Sequence, residues 1–109
     1  MKGKTMGYVI AQVNYDSNFQ DGVPREEKQK AAERRTEIPG FLWKIWLRDE
    51  KAQRGGGLFL FEDRPSAEAW LAARANQQFH EVYKNITVEL FDVDEELSLI
   101  SNAPLTVSA

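Results

Sequence analysis

Residues 41–47 read Phe-Leu-Trp-Lys-Ile-Trp-Leu, an extended run in which neither alternating set of side chains is wholly polar. Successive side chains of a strand point to opposite faces, which assigns Phe41, Trp43, Ile45 and Leu47 to one face and Leu42, Lys44 and Trp46 to the other. An antiparallel sheet with one face in water shows a cleaner alternation of apolar and polar residues. A tryptophan on each face therefore implies that both faces of this sheet are covered. Helices can cover one face and a second sheet the other.

The flanking segments supply the first of these layers. Residues 8–15 are rich in β-formers and alternate in part, predicting a first strand that Asp16-Ser17-Asn18 breaks. A helix is predicted over 24–36. Pro24 suits its first turn, Glu26 and Glu27 its positive N-terminal end, and Arg34 and Arg35 its negative C-terminal end. Its apolar face, mainly Ala31 and Ala32, is thin and leaves space over whatever it covers. After the strand over 41–47, a polar stretch and Gly55-Gly56-Gly57 predict a turn into a third strand over 58–61. Asp63 or Ser66 can cap a second helix, on which Ala67, Trp70, Leu71, Arg74 and Ala75 form a stripe that Phe79 and Val82 extend. Residues 85–93 predict the last strand.

The order β-α-β-β-α-β is the ferredoxin-like α+β pattern, an antiparallel four-stranded sheet with both helices on one face. A partner sheet is the economical cover for the other face, giving a homodimer with a two-sheet interior, a dimeric α/β barrel. Residues 95–109 form a tail whose Leu97, Leu99, Ile100 and Leu105 are too apolar for a free terminus, so the tail is expected to dock on the partner subunit.

A chain of 109 residues has room for one core, so 1–109 is read as a single domain. It has no cysteine, which removes disulfide frameworks, thiolate metal sites, iron–sulfur clusters and cysteine nucleophiles. Its single histidine, His80, removes histidine-rich metal sites, and no metal or other cofactor is expected. The net charge of −3 is spread over mixed-sign stretches without a basic stripe, which argues against nucleic acid. No apolar run approaches the ~20 residues that span a bilayer, and the start of the chain lacks the apolar region of a secretion signal. A cytoplasmic location away from membranes is expected.

The segment Pro39-Gly40-Phe41-Leu42-Trp43-Lys44-Ile45-Trp46, followed by Gly56-Gly57-Leu58-Phe59-Leu60-Phe61, Phe91-Asp92-Val93 and Leu97-Ser98, resembles the YdhR-type monooxygenase family. The likeness runs from the first strand to about Ala103, and Gly-Phe-Leu-Trp-Lys is its most specific piece. It implies kinship of fold with the antibiotic-biosynthesis monooxygenases, which oxygenate polycyclic phenols or hydroquinones without flavin, haem or metal. It carries over no catalytic set, since the matching aromatics are wall rather than acid–base machinery.

Cofactor-free oxygenation asks little of a protein when the substrate is the reductant. The site must hold a flat ring, exclude water and stabilise a developing oxyanion. Trp43, Trp46, Phe59, Phe61, Trp70 and Phe79 are the candidate walls for a small aromatic molecule, although large aromatics are more often simply core. Trp43 and Trp70 stand out because a thin first helix leaves room near them. His80 is the candidate base, the only side chain with an ordinary pKa near neutrality. Helical spacing puts it about 80° from Trp70, at the edge of the apolar stripe, where a surface histidine is the simpler account. Gln12, Asn14 and Tyr83 are candidates for orienting a substrate oxygen or are solvated strand-end residues. The triple glycine lacks the Lys-Ser/Thr and helix start of a phosphate loop. The charged run over 25–35 is most simply the wet face of a helix, and Asp92, Asp94, Glu95 and Glu96 lack the spacing of a calcium loop.

Three functions remain: a dioxygen-using oxygenase of an aromatic or polycyclic phenol without cofactor, a non-catalytic module that sequesters a small apolar molecule, and a haem-binding barrel relative with His80 on the iron.

Overall fold

The computed structural model describes residues 7–17, 24–75 and 83–105. The elements run β1 (Val9–Ser17), α1 (Arg25–Arg35), β2 (Phe41–Asp49), β3 (Arg54–Phe61), α2 (Arg64–Ala75), β4 (Tyr83–Asp92) and α3 (Glu95–Ile100). The strands form one antiparallel sheet in the order β2-β3-β1-β4, the ferredoxin-like arrangement. His80, Phe79 and Val82 lie outside the described residues.

Strand alternation divides the sheet. Val9, Ala11 and Val13 of β1 and Phe59 and Phe61 of β3 point to the α2 side, where Ala67 and Trp70 close over them. Ile86, Val88 and Leu90 of β4 pack at the margin of the same core. Phe59 and Phe61 are fully buried, a removal from water worth ~1.5–3 kcal/mol each. The start of α2 is fixed by Asp63, whose carboxylate accepts from the Ser66 backbone N–H at 2.9 Å. That choice between the two candidate caps leaves Trp70 pointing inward. α1 is different, with no buried residue at all. Its alanine face is as thin in the fold as in the sequence.

Two readings of the sequence are corrected. The glycines 55–57 are not a turn: β3 begins at Arg54 and all three lie inside the sheet, Gly57 pairing with Val13 on one side and Trp46 on the other. A Cβ on Gly57 would sit 2.5 Å from Lys44 Cε, and one on Gly56 would collide with the Val13 carbonyl, so these are positions of close approach. Phe41 does not share a face with Trp43. Phe41 is opposite Phe61 while Trp43 is opposite Leu60, so Leu42 is an extra residue in β2 and the alternation restarts after it. Phe41 therefore joins Phe59 and Phe61 edge-on, ring centroids 6.2 Å away from each.

The tail contains the helix α3. Asp94 caps α3 by accepting from the Leu97 N–H at 3.1 Å. Glu95 accepts from the backbone N–H groups of Gly7 and Tyr8 at 2.9 and 3.2 Å, tying α3 to the start of β1. Beyond α3 the chain lies over the end of the sheet face that the other helices leave open. There Leu105 is buried with Tyr8 and Leu60, beside Ile10, Trp43, Val93 and Ala103. The Trp43 indole N–H donates to the Pro104 carbonyl at 2.8 Å.

Candidate functional site

After the bulge, Lys44 and Trp46 turn toward α1 and α2, opposite Phe59 and Gly57 of β3. The Lys44 side chain runs across the space left by Gly57. Its Nζ lies 3.3 Å from the centroid of the Trp46 ring and 4.5 Å from that of Phe59. Phe59 in turn meets Trp70 with centroids 4.6 Å apart, and Phe61 meets Trp70 at 5.4 Å. A guanidinium borders each end of this aromatic wall: Arg35 of α1 over Trp46 at 5.7 Å and Arg74 of α2 over Trp70 at 5.1 Å. Contacts of this kind contribute ~0.5–2 kcal/mol apiece depending on desolvation.

Among the described residues no carboxylate forms an ion pair with Lys44. Burial pushes its ammonium down from the ordinary 10.5 to about 7, and the like charges of Arg35 and Arg74 add to the effect. Arg74 is shifted the same way by burial and by Arg35, with Tyr15 opposing. It nonetheless stays protonated at neutral pH, as guanidinium does. Near neutrality Lys44 is thus divided between a neutral amine and a half-buried cation.

Two clefts meet around Arg35. The larger, about 770 Å³, lies between the C-terminal end of α1 and α2, with Trp70, Arg74 and Ile38 in its lining. The smaller, about 320 Å³, lies between α1 and the β1–β2 side of the sheet, lined by Tyr15, Ala31, Ala32 and Trp46. The thin face of α1 is what leaves these openings.

The candidate residues are thereby split by the sheet. Trp46, Phe59, Phe61 and Trp70 come together on the helix side. Trp43 is on the other face, tied to the tail and away from the space under α1. Gln12 and Asn14 are also on that face, across from Leu58 and Gly56. The Tyr83 backbone pairs with Ser17 at the end of the sheet, and His80 and Phe79 are outside the described residues. Sequence reasoning missed Lys44, Arg35, Arg74 and Tyr15 as a group. The available signal was a lone charge between two tryptophans in an apolar strand, and an arginine within the apolar stripe of α2.

Among the described residues no cluster of His, Cys, Asp or Glu could hold a metal ion, and no helix is long and apolar enough to cross a membrane.

The chain is thus a ferredoxin-like domain with an aromatic wall bordered by cations between its helices and its sheet. The chain belongs to the family described as "Putative mono-oxygenase ydhR", which it matches over residues 10–104. Among solved structures it is similar to the haem degrader MhuD of Mycobacterium tuberculosis with two haems bound in its active site. The TM-score is 0.52 and the identity 25%, over 78% of this chain and 95% of that one. A mutant of MhuD with two manganese protoporphyrin IX bound per active site has a TM-score of 0.51 at 23% identity, over 92% and 99% of the two chains. No curated protein matches the chain.

Proposed function

We propose that the protein is a cofactor-independent monooxygenase that binds a flat aromatic or polycyclic phenol or hydroquinone on the helix side of the sheet and oxidises it with dioxygen. The observation that carries this reading is Lys44, a half-buried amine that lies over the Trp46 and Phe59 rings, feels two guanidiniums and is partly neutral near pH 7. A neutral amine in this position accepts the phenolic proton. The ammonium it becomes, with Arg35 and Arg74 nearby, then stabilises the phenolate it has made. The electron-rich anion gives one electron to dioxygen, the two radicals join as a peroxide, and the peroxide loses water. For an anthrone the balance is CH2 plus O2 to C=O plus H2O, with the substrate as the only reductant. Lys44 takes the role that His80 holds as the sequence candidate.

The same reading includes a homodimer and a cytoplasmic location. Ile45, Leu47 and Phe91 are exposed on the open sheet face, and Leu97, Leu99 and Ile100 are exposed on α3. Together they supply an apolar surface for a second copy. Leu105 is already used within its own subunit, so α3 is the part of the tail that would meet the partner. The absence of cysteine fits a reducing compartment.

Oxygen consumption by metal-stripped protein with an anthrone tests the proposal. Wild type should exceed the uncatalysed rate, and Lys44→Met should lose ~10²–10⁴-fold, the usual worth of a positioned acid–base group. Uptake at the background rate in protein that binds the ring would favour a non-catalytic ligand-binding module.

A second reading is haem binding, favoured by the likeness to MhuD at 25% identity. The larger cleft fits a porphyrin in part: Trp70 suits the ring, and Arg35 and Arg74 suit its propionates. The described residues offer no histidine for the iron, a role that would fall to His80. Titration with haemin distinguishes the two, since this reading requires a Soret shift that His80→Ala removes.

A further inference from the structure

The smaller cleft, between α1 and the β1–β2 side of the sheet, has charged lining of one sign only. Arg25, Lys28, Arg35 and Arg48 line it, and no carboxylate among the described residues does. Two of the four cations are already engaged. Arg48 pairs with Glu50, and Arg35 donates to the Ala31 carbonyl at 3.3 Å and lies over Trp46. Arg25 and Lys28 form no ion pair with any described residue. Asp16, between the lining residues Tyr15 and Ser17, pairs with Arg54 and accepts from Asn85 instead. The apolar part of the wall is partly bare. Trp46 turns toward the helices and is still 47% exposed, because Ala31 and Ala32, which share its cleft, are too small to cover an indole.

We propose that this cleft binds a mono- or bicyclic aryl anion, its ring against Trp46 in the space left by Ala31 and Ala32 and its oxyanion group at Arg25 and Lys28. The helix sets the two parts at a suitable separation. Arg25 and Lys28 are neighbours on its surface, and Lys28 lies one turn, about 5 Å along the axis, before Ala31 and Ala32. An inorganic anion would leave the Trp46 ring bare, and an uncharged ring would leave the two cations without a counter-charge. Only a ligand that carries both matches the whole lining. At about 320 Å³ the space is at the small end of ligand pockets, which limits the ring to one or two fused cycles. Lys44 does not line this cleft, so the site is separate from the phenol's place in the oxygenase reading and requires no turnover.

The three tryptophans report three places: Trp46 this cleft, Trp70 the larger one and Trp43 the open face of the sheet. Titration with 2-naphthalenesulfonate, followed through the indole N–H signals by nitrogen-15 NMR, should therefore move the Trp46 signal most. Its loss in Trp46→Phe identifies that signal. Neutral 2-naphthol should bind about 10-fold more weakly, the lower end of what hydrogen bonds to charged groups are worth, and added salt should narrow the gap. The double variant Arg25→Gln, Lys28→Gln should weaken the sulfonate by about the same factor and leave 2-naphthol unchanged. Both side chains lie on a helix that buries no residue, so the variant should keep the fold. Equal affinities for the two compounds in wild type would overturn the inference, as would a folded double variant that binds the sulfonate like wild type. A largest shift at Trp70 or Trp43 would also overturn it, and so would inorganic sulfate that moves Trp46 as far as the aryl compound does.

Discussion

The two faces of the sheet are built from the same strands and do different work. On the helix side, Phe41, Phe59, Phe61 and Trp70 make a closed aromatic core that continues into Trp46, Lys44 and the two arginines. On the open side, Tyr8, Leu60 and Leu105 close one end, while Ile45 and Leu47 stay exposed. In the proposed reading, strand alternation thus separates catalysis from assembly. The bulge at Leu42 decides the allocation, because an unbroken alternation from Phe41 through Leu42 would turn Lys44 and Trp46 to the open side and Trp43 to the helices. The comparison teaches that the polar residues of a sheet can be placed only once the register is known: Gln12 and Asn14 fall on the open face, and Lys44 falls on the helix side.

The strongest way to break this division is at Trp70. Its ring is only 8% exposed and packs on Phe59 and Phe61. Trp70→Ala should cost ~3–5 kcal/mol, read from chemical unfolding, because a large ring leaves a cavity that its neighbours cannot fill. A cost below ~1 kcal/mol would mean that the helix face is a ligand surface and not a core. The corresponding change on the open face is Ile45→Asp. It should leave the monomer folded, since Ile45 is 45% exposed, and should convert a sedimenting dimer into a monomer. A wild type that sediments as a monomer at micromolar concentration would remove the two-sheet barrel.

Lys44 sharpens the comparison through pH. Its folded value is about 7 against an ordinary 10.5, so between those values the unfolded chain holds a proton that the folded chain has released. Stability therefore rises with pH across that window, and below about pH 7 the full penalty of the buried cation is borne. Lys44→Met removes the penalty. It should be more stable than wild type at pH 6 by ~1–3 kcal/mol after allowance for incomplete burial, with the gap closing toward pH 10. Urea midpoints at pH 6 and pH 9.5 measure it. Parallel pH profiles for the two proteins would show that the amine is well solvated.

The element order, the inward-facing position of Trp70 and the thin face of α1 were legible in the sequence because each follows from periodicity or capping within one segment. What was not legible depends on pairing between segments. The bulge at Leu42 is fixed by how Phe41 and Trp43 meet β3, and the glycines 55–57 read as a turn because the Lys44 stem and the Val13 carbonyl that they admit come from other strands. The site was half legible for the same reason. Its aromatics are conspicuous as residue types, whereas the cations declare themselves only when α1, α2 and β2 bring them against one aromatic wall.

The smallest expected effect comes from Trp43, the tryptophan on the side away from the cleft. Its indole N–H donates to the Pro104 carbonyl and its ring lies beside the cluster that buries Leu105. Trp43→Phe keeps an aromatic body and removes the donor, so it should cost ~1 kcal/mol, the net worth of one hydrogen bond. It should also speed amide exchange in residues 101–105 while leaving that of β1 and β3 unchanged, because the lost bond holds only the tail. Oxygen uptake and ring binding should be those of wild type. A variant that folds and keeps its tail protected but loses ligand binding would place Trp43 in the site. The division of labour between the two faces would then have to be redrawn.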